Sequence, residues 1–451
     1  MLDVGRHPNI DLLAYSEVQH IEGQAGNFKV TVRKKARYVD EDKCTGCGLC
    51  SEKCPTTVVD AFNEGLGMRR AVYAYFAQGI PSTRTIDPDH CRQLNGKKCG
   101  ICQKVCQAGA IDYTQQDRLI ELQVGAVIAA VGYDVFDPAQ IAEYRYREIE
   151  NVVTAIEFER LLSASGPTSG HVYRPSDLNA KAEIQVLEKQ AAKSGRMLAR
   201  FEKKYGRTSA DFFMQYQAAP TDDADQEKWA RVYQEDLARK ERLAALNDAV
   251  KDAATAKRLA FIQCVGSRDF RFYPFCSGYC CMHSIKEAII ANEHEPQTVS
   301  TIFGMDIRAV GKGFEEYKIR GGNKSGITYV RGRVAEIIEG PGRNPVVVYE
   351  DTRTRSVKQE AFDLVILATA CAPTRGIAEL AATLNVALDD YGFIKTVPSA
   401  PVDTSMRGIF VCGCAGAPMD VPESVAQASS AAERAAEIIF QSDPVKEKAV
   451  A

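Results

Sequence analysis

Arg258-Leu-Ala-Phe-Ile-Gln-Cys-Val-Gly-Ser-Arg-Asp269 decides the framework: an apolar strand, then a turn. Residues 282–294 read as the returning helix and Gln297-Thr-Val-Ser-Thr-Ile-Phe303 as the next strand, which completes a β–turn–α–β unit. Further strands are expected at 327–331, 334–338, 346–349 and 362–368. Short apolar runs between glycines suit the parallel sheet of an α/β fold. A dinucleotide-binding unit would carry G-x-G-x-x-G at this turn, whereas here Cys264-x11-Cys276-x3-Cys280-Cys281 surrounds it. Four cysteines around one strand–helix junction can converge on a single metal site, with inert or reactive buried thiols as the alternative. His283, beside them, is expected on the helix surface. No strand anywhere is followed by G-x-G-x-x-G, so a complete phosphate-cradling turn for FAD or NAD is not expected.

Upstream stands a stronger motif, Cys44-x2-Cys47-x2-Cys50-x3-Cys54-Pro55, with a second half, Cys91-x7-Cys99-x2-Cys102-x3-Cys106. Three thiolates two residues apart on a turning loop can hold three irons of one cube, while the fourth is directed into a second cube. That exchange predicts one 4Fe-4S cluster on Cys44, Cys47, Cys50 and Cys106, and another on Cys91, Cys99, Cys102 and Cys54. The second half lacks the closing proline and has a widened first gap. A zinc site is the alternative, but zinc takes separated C-x2-C pairs.

The remaining chain frames these motifs. Residues 1–36 look like strands with turns, and 119–132 like a hairpin-like return ending in a buried strand at 126–131. Residues 178–257 are rich in Ala, Lys, Glu, Arg and Leu and predict two long helices, 180–205 and 224–257, packed on the body. The chain closes with a strand at 408–413 and a helix at 422–440 in which Pro422 suits the first turn. That strand-Gly-helix passage would point a helix N-terminus at a flavin edge, which makes Gly132, Gly413, Cys414, Pro422 and Val425 candidate FAD contacts. Cys371 is expected to be a core residue; Cys412 and Cys414 flank the flavin-facing glycine.

With 451 residues, the chain has room for two or three domains, and its net charge of −3 (pI near 6.2) gives no basic field for nucleic acid or anionic membrane. The apolar run 125–132 is too short to span a bilayer and the start has no signal-peptide pattern, so a cytoplasmic location is expected. In a reducing compartment fifteen cysteines read as metal ligands or redox groups rather than disulfides.

Several segments resemble the A subunit of heterodisulfide reductase: Val4-Gly-Arg-His-Pro-Asn-Ile10, Tyr38-Val-Asp-Glu-Asp-Lys-Cys-Thr-Gly-Cys-Gly48, Leu161-Leu-Ser-Ala-Ser-Gly-Pro167, Phe261–Asp269, the 276–281 cysteines and Gly413-Cys-Ala-Gly-Ala-Pro-Met-Asp420. The resemblance implies a thioredoxin-reductase-like core of two dinucleotide-binding units with an inserted two-cluster ferredoxin. It also implies a third 4Fe-4S cluster on Cys264, Cys276, Cys280 and Cys281, where NAD would bind. The implied organisation is 1–36, 116–177 and 368–451 as an FAD-type domain, 37–115 as the ferredoxin insertion, 178–257 as a helical insertion and 258–367 as the second unit. Met1 aligns after the family's FAD fingerprint, just downstream of a segment that holds cysteine or selenocysteine, so the first FAD βαβ is expected to be missing, through a split gene or a restarted reading frame. Implied partners are other subunits of a heterodisulfide-reductase-like, hydrogenase-linked or formate-dehydrogenase-linked complex and ferredoxin-type carriers, with flavin-based bifurcation as one mode. The alternative functions are an NAD(P)H-dependent flavin reductase and a flavin-free wiring subunit.

Overall fold

A computed structural model describes residues 2–221, 223–250 and 255–441. The body is a seven-stranded sheet in the order Val152–Thr154, Leu364–Thr369, Arg258–Val265, Val299–Gly304, Thr328–Glu339, Pro345–Asp351 and Ser356–Ala361. Pairings are parallel up to Thr328–Glu339 and antiparallel beyond it. Leu259, Ala260, Phe261, Ile302, Leu364, Val365 and Ile366 are fully buried because helices cover one face and the loops around Ile141–Ile149 the other. Helices Cys280–His294 and Phe314–Lys324 fill the crossovers between parallel strands, as the β–turn–α–β reading requires. The strands expected at 327–331 and 334–338 are one strand, bent by a register shift between Val334 and Glu336. Strand Ser356–Ala361 was not anticipated; its charged, half-exposed sequence hides it at the sheet edge.

A second layer combines strand Val127–Ala129, parallel to Ile409–Val411, with Ala400–Thr404 and Thr396–Val397. It packs beside a three-stranded antiparallel sheet of Ser16–Gln24, Asn27–Lys34 and Arg118–Val124. Two expectations are corrected here. Residues Leu2–Arg6 form a helix rather than a strand. The 119–132 segment is not a hairpin, because its two strands belong to different sheets. Its second strand is only partly buried: Ala129 is covered, whereas Ile128 is 39% exposed, on a strand that among the described residues lies at the edge of its sheet. The two layers are joined by an antiparallel pair, Tyr133–Val135 against Cys371–Pro373.

Residues 37–115 leave this framework and return to it. Asp40 and Asp112 N–H groups bond to Ala110 and Tyr38 carbonyls, which closes the ends of the segment on each other. Its outer loop docks on the body through Arg160, which stacks on Phe62 (4.6 Å) and donates to Asn63.

The helical segment starts earlier than expected, at Pro175, where Asn151 and Ser176 bond side chain to side chain. Helices Pro175–Tyr205, Ser209–Ala218 and Ala224–Val250 follow among the described residues, so the expectation of two helices is corrected to three. The extra helix exists because Thr208 caps it and Ser209 accepts a hydrogen bond from the buried Trp229 indole (2.9 Å). Trp229 stacks on Phe212 at 3.9 Å and on Phe201 and Tyr205, giving the segment a core of its own. Residues 251–254, expected to be helical, lie outside the described residues. Ala256 is not helical, and its N–H bonds to the Val172 carbonyl to lead into the strand.

Candidate metal centres

The two halves of the cysteine-rich segment are built alike. In the first, the Asp40 carboxylate accepts from the Asp42 and Lys43 N–H groups (3.1 and 3.3 Å), and the Cys44 N–H reaches the Asp40 carbonyl. In the second, Asp87 accepts from Asp89 and His90 at the same two distances, and the Cys91 N–H reaches the Asp87 carbonyl. Cys91 therefore stands where Cys44 stands, despite the widened gap after it. Gly48 and Gly100, both at positive φ, open the short helices Leu49–Lys53 and Ile101–Val105. Cys50 and Cys102 lie on these helices, while Cys54 and Cys106 end them in extended conformation.

Cys44, Cys47, Cys50 and Cys106 line one cavity of about 320 Å³, together with Val39, Leu49, Val105 and Ile111. Around the second space, Cys102 is close enough to Cys91 and Cys54 to sense their charge, and Tyr113 to Cys91, Cys99 and Cys102. The Tyr113 hydroxyl lies 2.9 Å from Cys102 Sγ. Burial pushes the Cys50 and Cys102 thiols up, whereas hydrogen bonds from the Leu49 backbone and the Thr45 side chain hold the exposed Cys47 down. Among the described residues no group of three or more His, Cys, Asp or Glu side chains is placed to hold one metal ion. Four thiols standing around an apolar space fit a four-iron cube, which sits between its ligands and needs a wider berth than a zinc ion with sulfurs at about 2.3 Å.

At the second junction, Cys264 is the penultimate residue of its strand, at φ 61, and Gly266 at φ 77 lets the chain pass against Phe136. A Cβ on Gly266 would lie 2.4 Å from the Phe136 ring. The loop then returns so that Cys280 and Cys281 begin the next helix, with Cys281, Cys264 and Cys276 near enough to join burial in raising the Cys280 thiol. Burial and Cys281 push Cys264 up to about 11. The donor set again fits an iron–sulfur cube: four cysteines, two of them buried, at one end of a parallel sheet. His283 is half-buried on its helix rather than fully exposed, and its Nε2 lies 3.1 Å from the fully buried Glu287.

The flavin-side candidates are brought only partly together. Gly413 (φ 66) donates its N–H to Gln427 Oε1 and adjoins Ser424, while Gly132 (φ 72) precedes Tyr133, which senses the charge of Cys414. Pro422 lies in the first turn of helix Val421–Gln441, where Asp420 and Glu423 cap one another, and Val425 faces outward at 60% exposure. Sequence reasoning missed the packing of the Tyr133 and Tyr279 rings (centroids 5.6 Å apart) and of strand Cys371–Pro373 on the turn Gly413–Ala415, because the partners are far apart in the chain.

Fold and donor sets define an α/β iron–sulfur protein, and residues 37–59 match the 4Fe-4S binding domain family. Over 439 residues the chain is 37% identical to the A subunit of the H(2):CoB-CoM heterodisulfide,ferredoxin reductase of Methanothermobacter thermautotrophicus, covering 97% of this chain and 54% of the relative. It is 38% identical to the A subunit of the ferredoxin:CoB-CoM heterodisulfide reductase of Methanosarcina acetivorans (100% and 50%). It is also 38% identical to a protein of Archaeoglobus profundus that is itself described as like the heterodisulfide reductase A subunit (97% and 58%). Over nearly its whole length the chain is thus similar in sequence to heterodisulfide reductase A subunits, and it spans about half the length of the curated relatives it matches. Among solved structures it is similar to Lactococcus lactis thioredoxin reductase at 13% identity and a TM-score of 0.34, covering 82% of this chain and 86% of that chain. Among the described residues no helix is long and apolar enough to cross a membrane.

Proposed function

We propose that this chain is an iron–sulfur electron-transfer subunit of a heterodisulfide-reductase-type oxidoreductase, with three 4Fe-4S clusters beside an FAD site. The observation that carries this reading is the cavity walled by Cys44, Cys47 and Cys50 from one half of the segment and Cys106 from the other. The further sets are Cys54, Cys91, Cys99 and Cys102, and Cys264, Cys276, Cys280 and Cys281. When bound, such groups carry single electrons, and a flavin exchanges them singly or in pairs. The chain's own part is spacing and tuning. The Ala110 N–H donates to Cys106 Sγ (3.3 Å) and the Gly278 N–H to Cys276 Sγ (3.4 Å), and donors to sulfur favour the more negative, reduced state. Val39, Leu49 and Ile111 keep water away.

In this reading 37–115 is the ferredoxin insertion, 258–367 the second dinucleotide-type unit, 178–257 the helical insertion, and 1–36, 116–177 and 368–451 belong to the FAD-type domain. FAD would lie near Gly132, Gly413, Cys414, Pro422 and Val425. Partners would be the other subunits of a heterodisulfide-reductase-like, hydrogenase-linked or formate-dehydrogenase-linked complex and ferredoxin-type carriers, with bifurcation as a mode of the assembled complex. Anaerobic iron and sulfide analysis tests the reading: about twelve irons per chain are expected. About eight would remove the Cys264–Cys281 cluster, and stoichiometric zinc would overturn the whole reading.

One observation favours a flavin-free wiring subunit instead. The Asp420 carboxylate already caps the N-terminus of helix Val421–Gln441 and so competes with an anionic flavin ring. The FAD-to-protein ratio after gel filtration, with and without a supplied phosphate-binding segment, separates the two.

A further inference from the structure

The two cysteine loops are built alike, yet only the first is covered by a fixed charge. Residues 82–84 cross it on the way into strand Thr85–Ile86, and the loop's two glycines, both at positive φ, make room for them. A Cβ on Gly46 would lie 3.1 Å from the Ser82 carbonyl oxygen, and one on Gly48 would lie 2.9 Å from Arg84 Nη2. Nη2 donates to the Gly46 carbonyl (3.2 Å), which fixes the guanidinium over the loop. Arg84 thereby forms part of the wall of the cavity shared by Cys44, Cys47, Cys50 and Cys106. Its Nε is buried and has no hydrogen-bond partner among the described residues. Behind the hydrogen bonds from Leu49 and Thr45, the Arg84 charge also acts on Cys47. Among the described residues the second loop has no such cover. Gly100, which stands where Gly48 stands, has nothing within 4 Å of its Cβ. Lys97 and Lys98, next to Cys99 in the chain, are exposed, so water and salt screen them. The second set has instead the Tyr113 hydroxyl, 2.9 Å from Cys102 Sγ, a neutral dipole rather than a charge.

We propose that Arg84 raises the reduction potential of the cluster on Cys44, Cys47, Cys50 and Cys106 above that of its twin, and so sets the direction of the relay. The inference rests on the cluster reading above and adds the residue that makes the two halves unequal. Taking up one electron adds one negative charge to a cube, and a cation held against the cube favours that reduced form. Arginine suits the task, because its guanidinium stays charged and gives up no proton to the cube. Its half-buried position matters as well: a charge partly withdrawn from water acts on its neighbour several-fold more strongly than an exposed one. The electron then moves from the cube of Cys54, Cys91, Cys99 and Cys102, which is oxidised, to the cube beside Arg84, which is reduced. No bond forms or breaks, and no proton is transferred.

The test is a potentiometric titration of the full chain, iron-loaded under anaerobic conditions and followed by electron paramagnetic resonance. Cys47→Ser, a ligand exchange within one cube, marks the signal that belongs to that cube. In the unmutated chain the marked signal should be the one of the pair reduced at the higher potential. Arg84→Gln should move its oxidised-to-reduced ratio at fixed potential roughly tenfold toward oxidised, about 59 mV for one electron, and leave the other signal in place. Arg84→Lys should return most of that shift, which loss of packing alone would not allow. Iron and sulfide analysis keeps two failures apart. An unmutated chain without a cluster on this set removes the cluster reading, whereas intact clusters at unmoved potentials remove only the role of Arg84. If Arg84→Gln loses iron, the unmutated chain decides, and a marked signal at the lower potential overturns the proposal.

Discussion

The ferredoxin-like segment and the strand–helix junction each gather cysteines around a confined space, by opposite means. The segment does it locally and twice. An Asx turn at Asp40 or Asp87, a positive-φ glycine and a five-residue helix set three thiols within a few residues, and Cys47 remains exposed. The junction depends on the sheet: Cys264 is the penultimate residue of one strand, Cys280 and Cys281 begin the helix after it, and a loop that must pass Phe136 closes the set. The first geometry is set by neighbours along the chain, the second by the parallel sheet that makes it.

The largest effects break the sharing of ligands. Cys106→Ala should remove about four irons per chain and damage the cluster whose other ligands are Cys44, Cys47 and Cys50, read by iron analysis and electron paramagnetic resonance. Loss confined to the cluster of Cys91, Cys99 and Cys102 would refute the crossover. Cys280→Ala should also lose about four irons, with the magnetic coupling between the two ferredoxin-type clusters unchanged.

Next come the glycines that distinguish the two geometries. In Gly266→Ala the new Cβ meets Phe136 in a left-handed conformation, so a loss of roughly 3–4 kcal/mol is expected. Gly100→Ala has nothing within 4 Å of its Cβ and only its φ of 67 to bear, roughly 1–2 kcal/mol. Denaturant midpoints of the two variants give the ranking directly; equal losses would mean that the junction is no stiffer than the segment.

The smallest effect is one of pH. Hydrogen bonds from Arg271, joined by Arg333, hold the Asp269 carboxyl at about 2 against its burial. A carboxyl depressed in the fold stabilises it above the ordinary value near 3.8, and that contribution fades as pH falls toward 2. Asp269→Asn should lower thermal stability at pH 6 and leave it nearly unchanged at pH 2. An unchanged pH dependence would show that the junction loop does not rely on this cluster of charges.

Local chemistry in the sequence determined the ferredoxin-type cysteine pattern, the β–turn–α–β unit from Arg258, and the helical character of the segment that contains Trp229. Those features repeat over a few residues, as thiol spacing, apolar runs or helix-forming composition, and need no distant partner. Tertiary structure decided the rest. It made one strand of 328–339 and added the edge strand Ser356–Ala361, whose half-exposed residues carry no apolar pattern. It divided the helical segment at Thr208, where a cap and the Trp229 indole outweigh composition. It buried Glu287 beside His283, and it packed the turn Gly413–Ala415 on strand Cys371–Pro373. Contacts of that kind arise from the order in which strands enter a sheet, and residue spacing along the chain carries no record of that order.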